Sequence, residues 1–187
     1  MGGRPVEGDL QRFMRRAREA VAAQDGEAAR REIGRLLGEL SRSGAIALDG
    51  VEVGLHGSTA TASTVLARDP GGLTLMLLRL SADESTPVHD HKSWGVAYTL
   101  RGTDRHKHWR RLDDGSEPGR GRVAVDDERE VGEGEFVDWP DPPHDIHSQQ
   151  GVGGPAYELV CFGRDPMAAL RDYYDPERGT VRQELAR

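Results

Sequence analysis

The chain has 187 residues and a formal net charge of −7, which sizes it as one domain with an added segment and argues against a general nucleic-acid or anionic-membrane binder. Its single cysteine, Cys161, excludes an internal disulfide, and no stretch is apolar over the length of a membrane span. The first residues lack the apolar core of a signal peptide, so a cytoplasmic location is expected, one that would keep a thiol reduced.

Residues 8–42 read as two helices. Leu10, Phe13, Met14, Ala17 and Val21 recur at helical spacing, with Arg12, Arg15, Arg16 and Arg18 largely on the other side. Asp25-Gly26 breaks the pattern, and Ala29, Ile33, Leu36, Leu37 and Leu40 form a second apolar stripe. Residues 1–45 are therefore expected to form a helical segment packed on the main body or a partner subunit, and 46–187 a barrel with a C-terminal tail, all one folding unit. From about residue 47 short apolar or alternating runs are separated by turn signals. Leu73–Leu80, Trp94–Leu100, Arg122–Val125 and Tyr157–Gly163 are such runs; Asp69-Pro70-Gly71-Gly72 and Asp113-Asp114-Gly115-Ser116 are such turns. With 24 glycines and 10 prolines and no alternation of strand and helix, this predicts an all-β sandwich or barrel. Residues 165–187 read as a short helix around Met167-Ala168-Ala169-Leu170 followed by a polar tail.

The chemistry concentrates in Pro87-Val88-His89-Asp90-His91-Lys92-Ser93-Trp94-Gly95 and, much further on, Pro142-Pro143-His144-Asp145-Ile146-His147. In a strand, residues i and i+2 share a face, so His89 and His91 project two imidazoles into the same space. A third histidine from a distant strand completes a three-nitrogen set, and three protein ligands leave open positions, the layout of a reactive metal site. His106-Lys107-His108 is a second such pair, on the charged run Asp104–Arg111, and both its histidines read as solvent-facing. His56 lies in a turn-like segment and reads as exposed.

The spacing of His89-Asp90-His91 to Gly95 and Gly102 resembles the first motif of the cupins, with Gly95 where a glutamate ligand would stand. Pro142 to Gly151 resembles the second motif, and that registration selects His147 rather than His144 as the third ligand. A cupin with three histidines and no glutamate is similar to the thiol dioxygenases, the cysteine and 3-mercaptopropionate dioxygenases. The leading helices, Asp69-Pro70-Gly71-Gly72 and Asp175-Pro176-Glu177-Arg178-Gly179 extend the likeness over roughly residues 10 to 180. It implies a jelly-roll barrel, Fe(II) held by His89, His91 and His147, and a small thiol and O2 as partners, with a sulfinate product.

The chain also departs from that pattern. The family's Ser-x-His-x-Tyr triplet corresponds to Glu158, Val160 and Phe162, expected to line the substrate pocket, with Glu158 orienting the substrate. Gly95 stands where some members carry a cross-linking cysteine. The strand that carries the carboxylate-binding arginine corresponds to Thr61-Ala62-Ser63-Thr64, small residues only. Arg79, Arg101, Arg105 and Arg164 are candidates to replace that arginine, and Arg79 is also a candidate partner for Glu158, since an unpaired buried carboxylate is costly. Trp94, Gly95 and His144 are further candidates for substrate contact. Tyr98 is out of phase with the ligands and reads as packing, and Cys161 as a buried, inert thiol facing away from the site. The reading is an Fe(II) oxygenase acting on the sulfur of cysteine or a 3-mercapto acid, as a monomer or homodimer. The alternatives are a biosynthetic variant carrying a cysteine-like thiol towards a sulfonamide or decarboxylated product, a non-redox metal isomerase or hydrolase, and a ligand-binding cupin.

Overall fold

The structure is a computed structural model that describes residues 8–46, 48 and 60–185; His56 lies outside the described residues. Helix α1 (Asp9–Ala23) buries Phe13, Met14 and Ala17 of the expected stripe together with Ala20, while Leu10 is half-buried and Val21 is exposed. The expected break after it is the start of α2 (Gly26–Arg42): the Asp25 side chain accepts from Ala28 N–H at 2.9 Å and caps the helix. No described helix is long and apolar enough to cross a membrane.

The rest of the described chain is antiparallel strand: β1 (Thr61–Arg68), β2 (Thr74–Leu80), β3 (Val88–His89), β4 (Gly95–Arg101), β5 (Thr103–Arg111), β6 (Val123–Gly132), β7 (Phe136–Trp139), β8 (His147–Gly151), β9 (Ala156–Phe162), β10 (Leu170–Asp175) and β11 (Thr180–Leu185). They form a five-stranded sheet in the order β1-β2-β9-β4-β7 and a six-stranded sheet in the order β11-β10-β3-β8-β5-β6. Two antiparallel sheets pack face to face as a jelly-roll sandwich, as expected, with the candidate site between them.

Alternation along the strands sets the layers. On β2 and β9, Leu75, Leu77, Leu159 and Cys161 face outward, where they join Phe13, Ile33, Leu37 and Leu40 under the helices. Met76, Val160 and Phe162 face inward and pack with Ala97, Val137 and Trp139. Helix α2 lies close on the sheet because two of its residues have no side chain. A Cβ on Gly34 would come within 2.6 Å of the Phe136 ring, and one on Gly38 within 3.1 Å of Tyr98. Arg30 Nε donates to Asp138 Oδ2 at 2.6 Å and fixes the helix to β7.

The C-terminal segment corrects the sequence expectation of a helix. Residues 166–169 form turns and bends, and the chain continues as the β10–β11 hairpin. Asp165 Oδ1 accepts from Met167 N–H at 3.0 Å, and the Arg171 guanidinium donates to Pro166 O at 3.0 and 3.2 Å, which closes a tight turn in place of a helical one. β10 then pairs with β3, setting Tyr173 opposite His89. The apolar run is too short to hold a helix against that pairing.

Candidate metal centre

Three buried histidines, two on strands and one on the loop after β3, meet between the sheets. His89 closes β3, His91 follows two residues later, and β8 places His147 directly opposite His89. His89 Nε2 and His91 Nε2 are 3.1 Å apart, and His91 Nε2 and His147 Nε2 are 3.2 Å apart. All three rings are buried, and they form the group of described residues able to hold a metal ion, with ligand atoms within 4.8 Å of one another. His89 Nδ1 lies 2.8 Å from Pro87 O. That carbonyl only accepts, so the proton of the neutral ring sits on Nδ1 and Nε2 offers its lone pair to the centre. Burial, reinforced by the charge of Arg171, pushes the His89 pKa down to about 3. Burial likewise holds His91 and His147 well below the usual histidine range, so all three rings are in the neutral form that can bind a metal.

The loop carrying His91 is tied down by charge. Lys92, at φ +55°, places its Nζ 2.6 Å from Asp90 Oδ2 and 2.7 Å from Asp172 Oδ2, while Asp145 Oδ2 accepts from His91 N–H at 3.1 Å. The second histidine and the strand it faces are thereby held together.

Gly95 adjoins the centre through what its missing side chain admits. A Cβ there would lie 2.2 Å from Trp139 Cζ2. The indole takes the space, 1 % exposed, and its ring centroid lies 4.5 Å from that of His147 and 6.0 Å from that of His91. Trp139 therefore fills the volume a side chain at position 95 would need. Trp139 carried no motif in the sequence; only its alternation with Val137 on β7 pointed inward.

One cavity opens on the histidines. It encloses about 140 Å³, small beside the roughly 300–1,000 Å³ of pockets for drug-sized ligands. Its lining includes His89, His91, Val160, Phe162 and Trp139, with Met76 and Leu78 from β2 and Thr61 and Ser63 from β1. Its one charged side chain is Arg171. That guanidinium donates to Pro166 O and hydrogen-bonds Tyr173, and no described carboxylate lies within ion-pair distance of it; burial lowers its pKa. Tyr173 stacks on His89 with ring centroids 5.8 Å apart. Arg171-x-Tyr173 has the same two-residue alternation as the ligands, but it lies in the segment expected to be helical.

Of the residues singled out in the sequence, Val160 and Phe162 line this cavity beside His89 and His91. Arg79 does not: it alternates with Leu78 and lies on the opposite face of β2. Trp94 packs with the helix-side core, outside the lining, and His144 is exposed on the loop before β8. Arg101 stacks on Tyr157, Arg105 pairs with Glu130 at 3.3 Å and Arg164 with Asp141 at 3.5 Å, all away from the cavity. Tyr98 and Cys161 lie on the helix side, and burial raises the Cys161 thiol to about 12.

Glu158 faces inward and is fully buried, yet it lies below the cavity. Its partner is not Arg79: Gln149 Nε2 donates to Glu158 Oε2 at 2.8 Å and to Asp104 Oδ2 at 3.0 Å. Burial first, then the Asp104 charge, raises the Glu158 pKa well above the carboxylate range, against the hydrogen bonds from Gln149 and Thr99. His106 corrects the solvent-facing expectation: it is fully buried, its Nδ1 is 3.1 Å from Asp104 Oδ2, and its ring centroid is 5.2 Å from that of His147. β5 pairs with β8 in a register that sets His106 opposite Gln149 and His108 opposite His147, so Asp104, His106 and His108 share the inner face. The charges that made this run read as exposed belong to the alternate residues, as Arg105 and Lys107 pair with acids of β6.

In comparison with known proteins, the sequence matches no family model and no curated protein. Its structural neighbours are cupin-superfamily proteins. Oxalate oxidase in complex with the substrate analogue glycolate aligns with 64% of this chain at a TM-score of 0.47 and 19% identity. A variant of Bacillus subtilis oxalate decarboxylase aligns with 61% at 0.44 and 21%. A cupin-superfamily protein of Desulfitobacterium hafniense aligns with 58% at 0.39 and 15%. The chain spans 59% of that oxalate oxidase, 28% of the decarboxylase and 81% of the Desulfitobacterium protein.

Proposed function

We propose that this chain is a non-heme Fe(II) oxygenase that adds O2 to the sulfur of a small thiol carrying a carboxylate. The observation that carries this reading is the convergence of three buried neutral imidazoles beside a small cavity whose lining, among the described residues, holds a half-buried arginine without a carboxylate partner and no carboxylate. The donor set fits a divalent metal: three buried imidazole Nε2 atoms converge to within 3.1–3.2 Å of their neighbours, and the Pro87 carbonyl fixes the His89 ring with its Nε2 lone pair turned inward. Iron bound there supplies open positions for thiolate and O2 and the electrons they exchange. The charge count favours an anionic partner, since neutral ligands leave the full dication in place and a coordinated thiol gives up its proton.

The chain's own residues do the rest. Arg171 holds the carboxylate with charge-assisted hydrogen bonds and thereby aims the sulfur at the histidines. Phe162, Val160, Met76 and Trp139 exclude water around it. Glu158 reaches the substrate only through Gln149. The overall change, a thiol and O2 giving a sulfinic acid, balances without a further reductant.

The test is anaerobic loading with Fe(II), then O2 uptake and mass spectrometry over a panel of thiols. The expected result is uptake with carboxylate-bearing thiols and products gaining two oxygen atoms. Absence of uptake with every thiol overturns the reading. A product that loses carbon dioxide or gains a sulfur–nitrogen bond favours the biosynthetic variant instead. Turnover with zinc or nickel but not iron favours a non-redox cupin.

A further inference from the structure

Gln149 is held in a way a merely structural glutamine does not need. It follows His147 by two residues on β8, so it shares the ligands' inner face and lines the cavity. Its backbone is pinned from both sides: its N–H donates to Thr86 Oγ1 at 2.9 Å and its carbonyl accepts from Thr86 N–H at 2.8 Å. Its amide orientation is fixed by chemistry. Nε2 sits 2.8 Å from Glu158 Oε2 and 3.0 Å from Asp104 Oδ2, and a flipped amide would press an acceptor oxygen against the Asp104 carboxylate. With both N–H groups spent below the cavity, Oε1 is the polar atom left, and it accepts from no described residue. Gln149 is also the one amide-bearing side chain in the lining.

The geometry points to Gln149 Oε1 as the group that reads an amine on the substrate. Together with Arg171 it makes the cavity a site for an α-amino thiol acid, of the cysteine type, rather than for a simple mercapto acid. This rests on the thiol-acid reading of the site and narrows it. An ammonium brought in between the dication and Arg171 needs an acceptor, and the lining offers no carboxylate. Gln149 supplies one whose dipole is already oriented. Asp104, which with Glu158 anchors the amide nitrogen, puts its negative charge behind that dipole, on the side that favours a cation at Oε1.

The test is equilibrium binding under anaerobic conditions to the full chain loaded with Fe(II), by calorimetry, for L-cysteine and for 3-mercaptopropionate, which lacks only the amine. The wild-type protein is expected to favour cysteine by roughly 10- to 100-fold, the worth of a hydrogen bond to a charged group. In Gln149→Met, of similar length but without the acceptor, the ratio of the two affinities falls to about one. Equal affinities in the wild-type protein, measured without recourse to any variant, overturn the assignment and leave the thiol-acid reading standing. A Gln149→Met protein that loses affinity for both thiols by the same factor makes Gln149 a structural residue and also overturns it. Failure of either thiol to bind overturns the thiol reading, and this assignment with it.

Discussion

Substitution of Gly95 by alanine tests how the metal centre is packed. The added Cβ would meet Trp139 Cζ2 at 2.2 Å, Cε2 at 2.5 Å and Cη2 at 2.9 Å. Carbon atoms rest at about 3.5–4.0 Å, so the indole must move by roughly 1 Å. It has nowhere free to go: it is 1 % exposed, its Nε1–H donates to Ser93 O at 3.2 Å, and it lies against His147, His91 and Phe162. Overpacking of a closed core costs about 1–3 kcal/mol, and a clash with three ring atoms belongs at the upper end. For a chain of this size that is a fall in melting temperature of roughly 6–12 °C. Because the displaced ring bears on two of the metal ligands, metal affinity should also fall, by about 10- to 100-fold. The assays are thermal unfolding of the metal-free protein and metal competition with a chromophoric chelator. Trp139→Phe removes part of the clashing surface, so the double variant should be less destabilised than the sum of the two single ones. A Gly95→Ala protein that melts and binds metal like the wild type, or strict additivity in the cycle, refutes this account of the glycine.

Alanine at His89, His91 or His147 should each abolish stoichiometric metal binding, measured on purified protein, whereas alanine at the exposed His144 should leave it intact. Arg171→Met should weaken carboxylate-bearing thiols by roughly 10- to 100-fold while barely affecting cysteamine, which has no carboxylate; equal losses for both would remove Arg171 from substrate recognition. Glu158→Gln should flatten the pH dependence of stability. The Glu158 pKa is raised in the fold, so between the unfolded value near 4.3 and the folded one the native state holds the extra proton. Wild-type stability therefore falls as pH rises through that window, and the variant's relative melting temperature should climb across it. Parallel curves from about pH 5 to pH 8 would count against a proton held on Glu158.

Much of this was legible because it rests on period. Helical spacing marked α1 and α2 and turn residues bounded the strands; His89 and His91 do meet, but β3 ends at His89, and the loop through Lys92 rather than strand alternation carries His91. Registration of the second motif chose His147 over His144, and β8 sets His147 opposite His89. What failed was the reading of charged or short segments. Asp104–Arg111 looked like a solvent strand because its charges were counted together; split by alternation, one half pairs outside with β6 and the other is buried. Asp165-Pro166 before the Met167–Leu170 run reads as a helix start, whereas the strand that draws the following residues into a sheet, β3, lies far away in sequence. Arg171 was hidden for the same reason. Trp139 was hidden because the space it fills is defined by an absence, at Gly95.

The polar groups of the interior divide into two levels, and Gln149 separates them. Above it the cavity holds neutral imidazoles, one cation and apolar walls. Below it lie Asp104 and Glu158, both fully buried. A carboxylate free to reach the histidines would compete for the metal and cancel part of the charge that draws in a thiolate. With one amide nitrogen bonded to both carboxyls, neither has a reason to leave, and the substrate side of the amide presents an oxygen that carries no formal charge. The glutamate at 158 and the glutamine at 149 are therefore best understood together. Glu158 and Asp104 supply anchorage and Gln149 supplies contact, so an apolar residue at 149 removes the one uncharged acceptor that the amide turns toward the substrate.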